Sequence, residues 1–297
     1  MSWVEELRAN AAICNRAPSA HNTQPWRPEY HADRIVIAVD PARRLPDSDP
    51  TGRDLALGIG AFVETCLIVS AELGLNVTVA PGPQLVPAAT RYPTPFTIAD
   101  VEARRVARGR YAPGQVDATV IAALGPGIAH VPTREIAAEL AVADRWMFGT
   151  PPVAVELRDW LRLSPHHPRY HLDGLTDRAL TLSRAEAWFL STALRAYPVT
   201  RRMGLPALLA ASGRGLLRYD GSVLVLLATD ADHVAAGRRL LRTWLTLARH
   251  GLAVHPLSQL IDCPATAGWL AERVDGQPLA VFRVGRPLAE PVRSARR

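Results

Sequence analysis

The chain contains no lysine, so all 34 of its basic residues are arginine. Without lysine it cannot form the G-x-x-x-x-G-K-S/T phosphate loop, and no G-x-G-x-x-G follows a strand pattern. P-loop and Rossmann chemistry are therefore excluded. Cysteine is also scarce: Cys14, Cys66 and Cys263 lie far apart, with no Cys-x-x-Cys pair and no ligand-like spacing to histidine. That usage fits a reducing, cytoplasmic setting and argues against a disulfide scaffold. No G-x-S-x-G elbow occurs, and nothing ties Ser212 to a particular histidine and carboxylate, so hydrolase chemistry has no support.

The opening segment MSWVEELRANAAICNRAPSA lacks the basic start and unbroken apolar stretch of a secretory signal. Residues 55–75 are the one run apolar enough to suggest a membrane span. Glu64 at its centre, Glu72 near its end and Gly58 and Gly60 near its start favour a buried helix instead, so no membrane partner is expected. A net charge of +6 and a pI near 9.8 raise the question of nucleic acid. The arginines are scattered in ones and twos, without a basic tract or a groove-binding module, so no nucleic-acid partner is expected either. His166, His167 and His171 with Asp173 would suit zinc only if 167 and 171 shared a helix face. Pro165 and Pro168 oppose that helix, and no metal is expected. His21 and His255 are better placed to meet a substrate.

At 297 residues with 48% hydrophobic content, the chain can fill a large core. Apolar spacing predicts a helix over 3–17 that runs into a turn-rich stretch at 18–28, then a strand at 34–39. A helix over 53–74 ends at glycine, and a strand follows at 75–80. From Thr97 a second unit begins, with Asp100 capping a helix that continues through 104–111, further helices from Asp117 and Thr133, another over 153–163, and no strand signal. Residues 164–219 show no steady period and read as a lid or insertion. The last third carries a buried strand at 222–228, a helix at 230–250 closed by Gly251, and a strand at 278–284. With no solenoid repeat, the chain reads as one composite domain over 1–297, with halves at 1–96 and 97–297.

The turn Ala17-Pro-Ser-Ala-His-Asn-Thr-Gln-Pro-Trp26 is fixed by proline and offers small polar side chains and free backbone groups to a flat polar ring system. It resembles the APSxxNxQPW signature of the flavin (FMN) nitroreductase superfamily at every specified position. Residues 52–75 are similar to the long central helix of that superfamily. Arg105-Val-Ala-Arg108, with Tyr111 and Val116 beyond, resembles the Arg-Ser/Thr-x-x-Arg segment that grips the flavin phosphate. Val106 stands where a hydroxyl is usual, so one phosphate contact is missing. Two arginines three apart on a helix would share a face and offer bidentate bonds to a phosphate. Gly251-Leu-Ala-Val-His-Pro-Leu-Ser-Gln-Leu260 resembles the strand and loop whose backbone N–H approaches flavin N5. Residues 281–287 are similar to the family's final strand, and the tail 291–297 to its closing basic segment.

In the ordinary homodimer one subunit supplies the arginine segment and the other the APSxxN loop. Here the loop precedes the arginines in one chain, which is similar to the Acg-like branch. The resemblance implies an α+β nitroreductase-like fold, with a central mixed or antiparallel sheet flanked by helices and two tandem half-units forming a pseudo-dimer. It implies one FMN held by Pro18, Ser19, Asn22, Arg105, Arg108, Ser258, Gln259, Arg293 and Arg296, with NAD(P)H as electron donor and a small organic molecule as acceptor. No side chain is assigned a dedicated acid or base role. A monomeric pseudo-dimer is expected, and further dimerisation stays open. So does a second function, in which a lid-covered site stores flavin with little or no reductase activity.

Overall fold

A computed structural model describes residues 1–213 and 215–297. The expected α+β class holds, with the strands divided between two separate antiparallel sheets. In the first, β1 (Trp26–Tyr30), β2 (Ile35–Val39), β3 (Val77–Ala80) and β4 (Gln84–Pro87) run in the order β1-β2-β4-β3. The second comprises β5 (Ile128–Pro132), β8 (Ser222–Leu227), β9 (Ala253–Pro256) and β10 (Pro278–Gly285) in the order β5-β8-β10-β9. Between β5 and β8 in the chain, two short strands, β6 (Leu161–Arg162) and β7 (Leu175–Thr176), pair in parallel.

Each sheet is formed by β-branched and leucine residues that pack against helices. Trp26 of β1 stacks on Phe62 of the Arg53–Glu72 helix with ring centroids 4.8 Å apart. Every residue of β8 is buried, as the unbroken apolar run of a central strand requires. The Arg53–Glu72 helix is long and apolar enough to cross a membrane by length and composition, yet most of it is buried inside the fold. It lies against the His233–Arg249 helix so closely that the backbones touch. A Cβ on Gly60 would lie 2.0 Å from the Val234 carbonyl oxygen, and one on Gly237 would lie 2.2 Å from that of Leu57. At the same interface the buried Glu64 carboxylate accepts from Arg238 Nε at 2.9 Å, Arg242 Nε at 2.7 Å and the Tyr92 hydroxyl at 2.8 Å. The charge that interrupts the apolar run in the sequence is thus met by arginines of the other half.

Several features differ from the sequence reading: the helix expected over 3–17 is broken at Asn10 and ends at Cys14, the one expected over 153–163 ends at Asp159, and β4 and β6 stand where no strand is expected. The helix expected to continue through 104–111 opens with a Thr97/Asp100 capping box and stops at Ala103, where the Arg104 backbone leaves the helical conformation. Residues 104–116 then run without helix, and the Ala107 amide donates to the Val254 carbonyl at 2.9 Å along the edge of β9. Arg105 and Arg108 therefore share no helix face. The strand β5 also went unread, because its histidine and closing proline mask a five-residue pattern. Finally, the aperiodic stretch 164–219 contains the helices Arg184–Arg195, Tyr197–Thr200 and Leu205–Gly213 besides β7.

Candidate functional site

A cavity of about 770 Å³, within the range typical of small-molecule sites, is lined by residues from Pro18 to Arg296. One wall is polar, made by the 18–22 loop, residues 104–108, the loop after β9 and the C-terminal tail. An apolar part of the lining, the apolar wall, includes Trp146, Phe148, Leu157, Phe189, Leu190 and Leu209.

The 18–22 loop is held in an unusual backbone conformation. Among the described residues four that are not glycine have positive φ, and three of them, His21, Asn22 and Gln24, belong to this turn. Such strain persists only where the surroundings over-determine it, and it marks functional loops. Here Ser19 Oγ accepts from the Gln24 amide at 2.9 Å, and Gln24 Nε2 donates to the Leu172 carbonyl at 2.8 Å. Asn22 Nδ2 donates to the carbonyls of Gly174 and Ala295 at 3.1 and 3.0 Å. Its Oδ1 accepts from Arg296 Nη1 at 2.6 Å. The loop thus joins the tail to the β7 region.

Beside this loop three arginines converge. Arg104 Nη2 donates to the Arg16 carbonyl at 2.8 Å, and Arg16 Nη1 to the Ser294 carbonyl at 3.0 Å. Arg296 reaches the Arg16 and Ala17 carbonyls at 3.3 and 3.1 Å. None of the three bonds a carboxylate, and each leaves its Nε buried and without a partner. Burial is the main cause that pulls Arg104 down to about 9 and Arg16 down to about 10, with repulsion between neighbouring arginines adding to it. Arg296 is depressed well below its ordinary value for the same reasons. Uncompensated buried cations cost stability, so a cluster of them with spare donors is built to receive an anion.

A second positive group lies further along the same wall. Arg108 is half-buried, has only a marginal 3.5 Å contact to the Ala179 carbonyl, and is pulled down to about 10, chiefly by desolvation. His255 neighbours it, and His21 is lowered to about 4, chiefly by burial.

Ser258 opens the Gln259–Asp262 helix, and both Ser258 and Gln259 line the cavity. Gln259 Nε2 donates to Asp144 Oδ1 at 3.0 Å. Burial raises the Asp144 carboxyl to about 6 from the ordinary 3.8, opposed in part by this bond. The folded state therefore holds this proton more tightly than the unfolded chain, and the group's contribution to stability falls as pH rises between those two values. Asp144→Asn should accordingly raise the thermal midpoint near pH 7.5 and leave it nearly unchanged near pH 4. A shift of equal size at both pH values would contradict this account.

Of the residues expected from sequence, Pro18, Ser19, Asn22, Arg108, Ser258, Gln259 and Arg296 line the cavity. Two do not. Arg105 turns to the carbonyls of Glu102 and Arg104, and Arg293 pairs with Glu102 on the surface at 2.8 Å. Because the backbone is extended here, successive side chains diverge, and it is Arg104 that faces inward. Sequence reasoning also missed Arg16. Its only signal was its place just before the signature turn. Asp173, weighed as a metal ligand, is paired with Arg43, Arg162 and Arg169.

No family model matches the chain. Over 76 residues it is 36% identical to Rv3131 of Mycobacterium tuberculosis, named as an NAD(P)H nitroreductase, covering 26% of this chain and 22% of that protein. Over 79 residues it is 30% identical to the protein acg of the same organism, also named as an NAD(P)H nitroreductase, covering 27% and 24%. The chain thus matches less than a quarter of the length of either mycobacterial protein. Similarity to PigM of a Serratia species, another named NAD(P)H nitroreductase, covers all of this chain and 92% of that one at 24% identity. Among solved structures, the FMN-dependent nitroreductase NfnB from Mycobacterium smegmatis in complex with NADPH matches 64% of this chain and 86% of its own. Its TM-score of 0.34 and 18% identity are too low to carry an argument.

Proposed function

We propose that the chain, similar to named NAD(P)H nitroreductases that include acg, is a nitroreductase of the Acg-like branch that binds one FMN in the cavity and transfers electrons from NAD(P)H to a small organic acceptor. The observation that carries this reading is the convergence of Arg16, Arg104 and Arg296, buried, unpaired with any carboxylate and each with an orphaned Nε. A phosphate monoester supplies the missing charge and can take several of these donors at once. In this assignment Arg104 and Arg296 hold the phosphate, with Arg16 behind them. Pro18, Ser19 and Asn22 border the bound molecule, and the backbone after Ser258 and Gln259 faces its ring.

FMN, when bound, supplies the two-electron carrier that a chain without redox-active side chains in the cavity lacks. The residues contribute the rest. Arg108 adds positive charge near the ring, where negative charge on the reduced cofactor is stabilised. The apolar wall excludes water and leaves room for a second molecule. The arrangement of two sheets about one close helix pair supports the pseudo-dimer reading, in which one chain replaces two subunits. The storage alternative draws on the same apolar wall, because helices of the 164–213 segment cover the cavity.

Steady-state oxidation of NADPH by flavin-loaded protein, with menadione as acceptor, separates the two. Turnover proportional to bound FMN is expected. Firmly bound FMN without NADH or NADPH oxidation would exclude the reductase and leave flavin storage.

A further inference from the structure

Arg283 of β10 is 1% exposed and has no carboxylate partner among the described residues. Its Nε donates to His255 Nδ1 at 3.1 Å and its Nη1 to the Leu216 carbonyl at 3.3 Å. Its Nη2 donates to the carbonyls of Arg108 and Gly109 at 2.8 and 2.6 Å, and its guanidinium lies 4.3 Å from the centre of the Tyr111 ring. In the antiparallel register of β9 and β10, Arg283 stands directly opposite His255, so the two side chains project side by side.

A guanidinium can only donate. His255 Nδ1 must therefore accept, and the single proton of the neutral ring sits on Nε2. Among the described residues Nε2 makes no hydrogen bond, while His255 itself lines the cavity. The charged groups that act on this ring are Arg283 and Arg108; Tyr111 and Tyr219 act on Arg283 in turn, and among the described residues no carboxylate acts on the ring. Burial, then the charges of Arg283 and Arg108, hold its pKa well below the ordinary range.

We propose that Arg283 fixes His255 as a neutral Nε2–H donor facing the cavity, and that this donor, with Arg108 beside it, takes a carbonyl-type oxygen that gains negative charge on reduction. No proton leaves the ring, and Arg283 acts as a positioning residue through it. This rests on the FMN reading only for the identity of the bound molecule. The oxygen belongs either to the polar edge of the flavin or to the acceptor.

Ring nitrogen NMR of ¹⁵N-histidine-labelled full-length protein, flavin-free and flavin-loaded, tests the relay, with His255→Gln assigning the signals. One histidine should keep the neutral Nε2–H pattern throughout about pH 5 to 8. Titration of that ring within the window, or an Nδ1–H pattern, would overturn the proposal. His255→Leu and His255→Gln then identify the oxygen. If it is the flavin's, Leu weakens FMN binding about tenfold or lowers the flavin potential. If it is the acceptor's, Leu leaves both intact and raises KM for menadione by a similar factor. Gln retains most of the function in either case. No change in FMN affinity, potential or KM with Leu would contradict the donor role. The expected NMR pattern in a protein that refuses FMN would leave the relay standing and remove the cofactor reading.

Discussion

Arg104→Met should weaken FMN binding by roughly ten- to a hundredfold and, at the same time, raise the thermal midpoint of the flavin-free protein. Both effects arise from one guanidinium. Arg104 is 4% exposed, donates to a single carbonyl and repels Arg16 and Arg105. Without an anion it is an uncompensated buried charge, which a methionine of similar length relieves. With an anion it provides a charge-assisted bond worth about 1.5–3 kcal/mol, which methionine cannot. Inorganic phosphate should likewise raise the midpoint of the flavin-free wild-type protein by mass action, and do so less for the variant. Calorimetry in phosphate and in an uncharged buffer reads both changes. A lowered midpoint in the flavin-free variant, with FMN affinity unaltered, would mean that Arg104 is a structural cation and nothing more.

Gly237→Ala should destabilise the fold at or beyond the upper end of the ~1–3 kcal/mol usual for overpacking. The added Cβ would fall 2.2 Å from the Leu57 carbonyl oxygen and 2.8 Å from the Leu57 Cα. These are backbone atoms in the middle of a helix, so no side-chain rotation relieves the clash. The two helices would have to separate, opening the interface that buries Glu64 and shifting Leu57 and Gly58 beneath the cavity. Gly60→Ala should behave alike, since its Cβ would meet the Val234 carbonyl oxygen at 2.0 Å. Urea denaturation and FMN titration together check this. A midpoint unchanged in both variants would show that the helices do not pack backbone to backbone.

Local features were legible in the sequence, and features assembled across it were not. The turn at 17–26 could be read because its proline, small polar residues and tryptophan act within ten positions. The long helix could be read from its long, mostly apolar run and terminal glycine. What the sequence could not show is that Asn22 bonds Gly174 and Ala295, or that Arg16, Arg104 and Arg296 meet. The choice of Arg105 with Arg108 followed the Arg-Ser/Thr-x-x-Arg pattern, whereas the chain leaves the helix at Ala103 and turns Arg104 to the cavity. One extended residue reverses which arginine points inward. In the 164–219 stretch, Ser183-Arg-Ala-Glu186 is a capping-box signature, and it does open the Arg184–Arg195 helix. The prolines and glycines around it hid that signal. Glu64 pointed to a buried helix, and the helix is largely buried, although the arginine partners of Glu64 lie on another helix.

Titrating flavin-free protein with FMN and with riboflavin tests the central claim most directly, because the two ligands share a ring and differ in the phosphate. The arginine cradle predicts one FMN per chain, bound at least about a hundredfold more tightly than riboflavin, with a preference that weakens as inorganic phosphate is added. Equal affinity for the two ligands, or binding of neither, would contradict it.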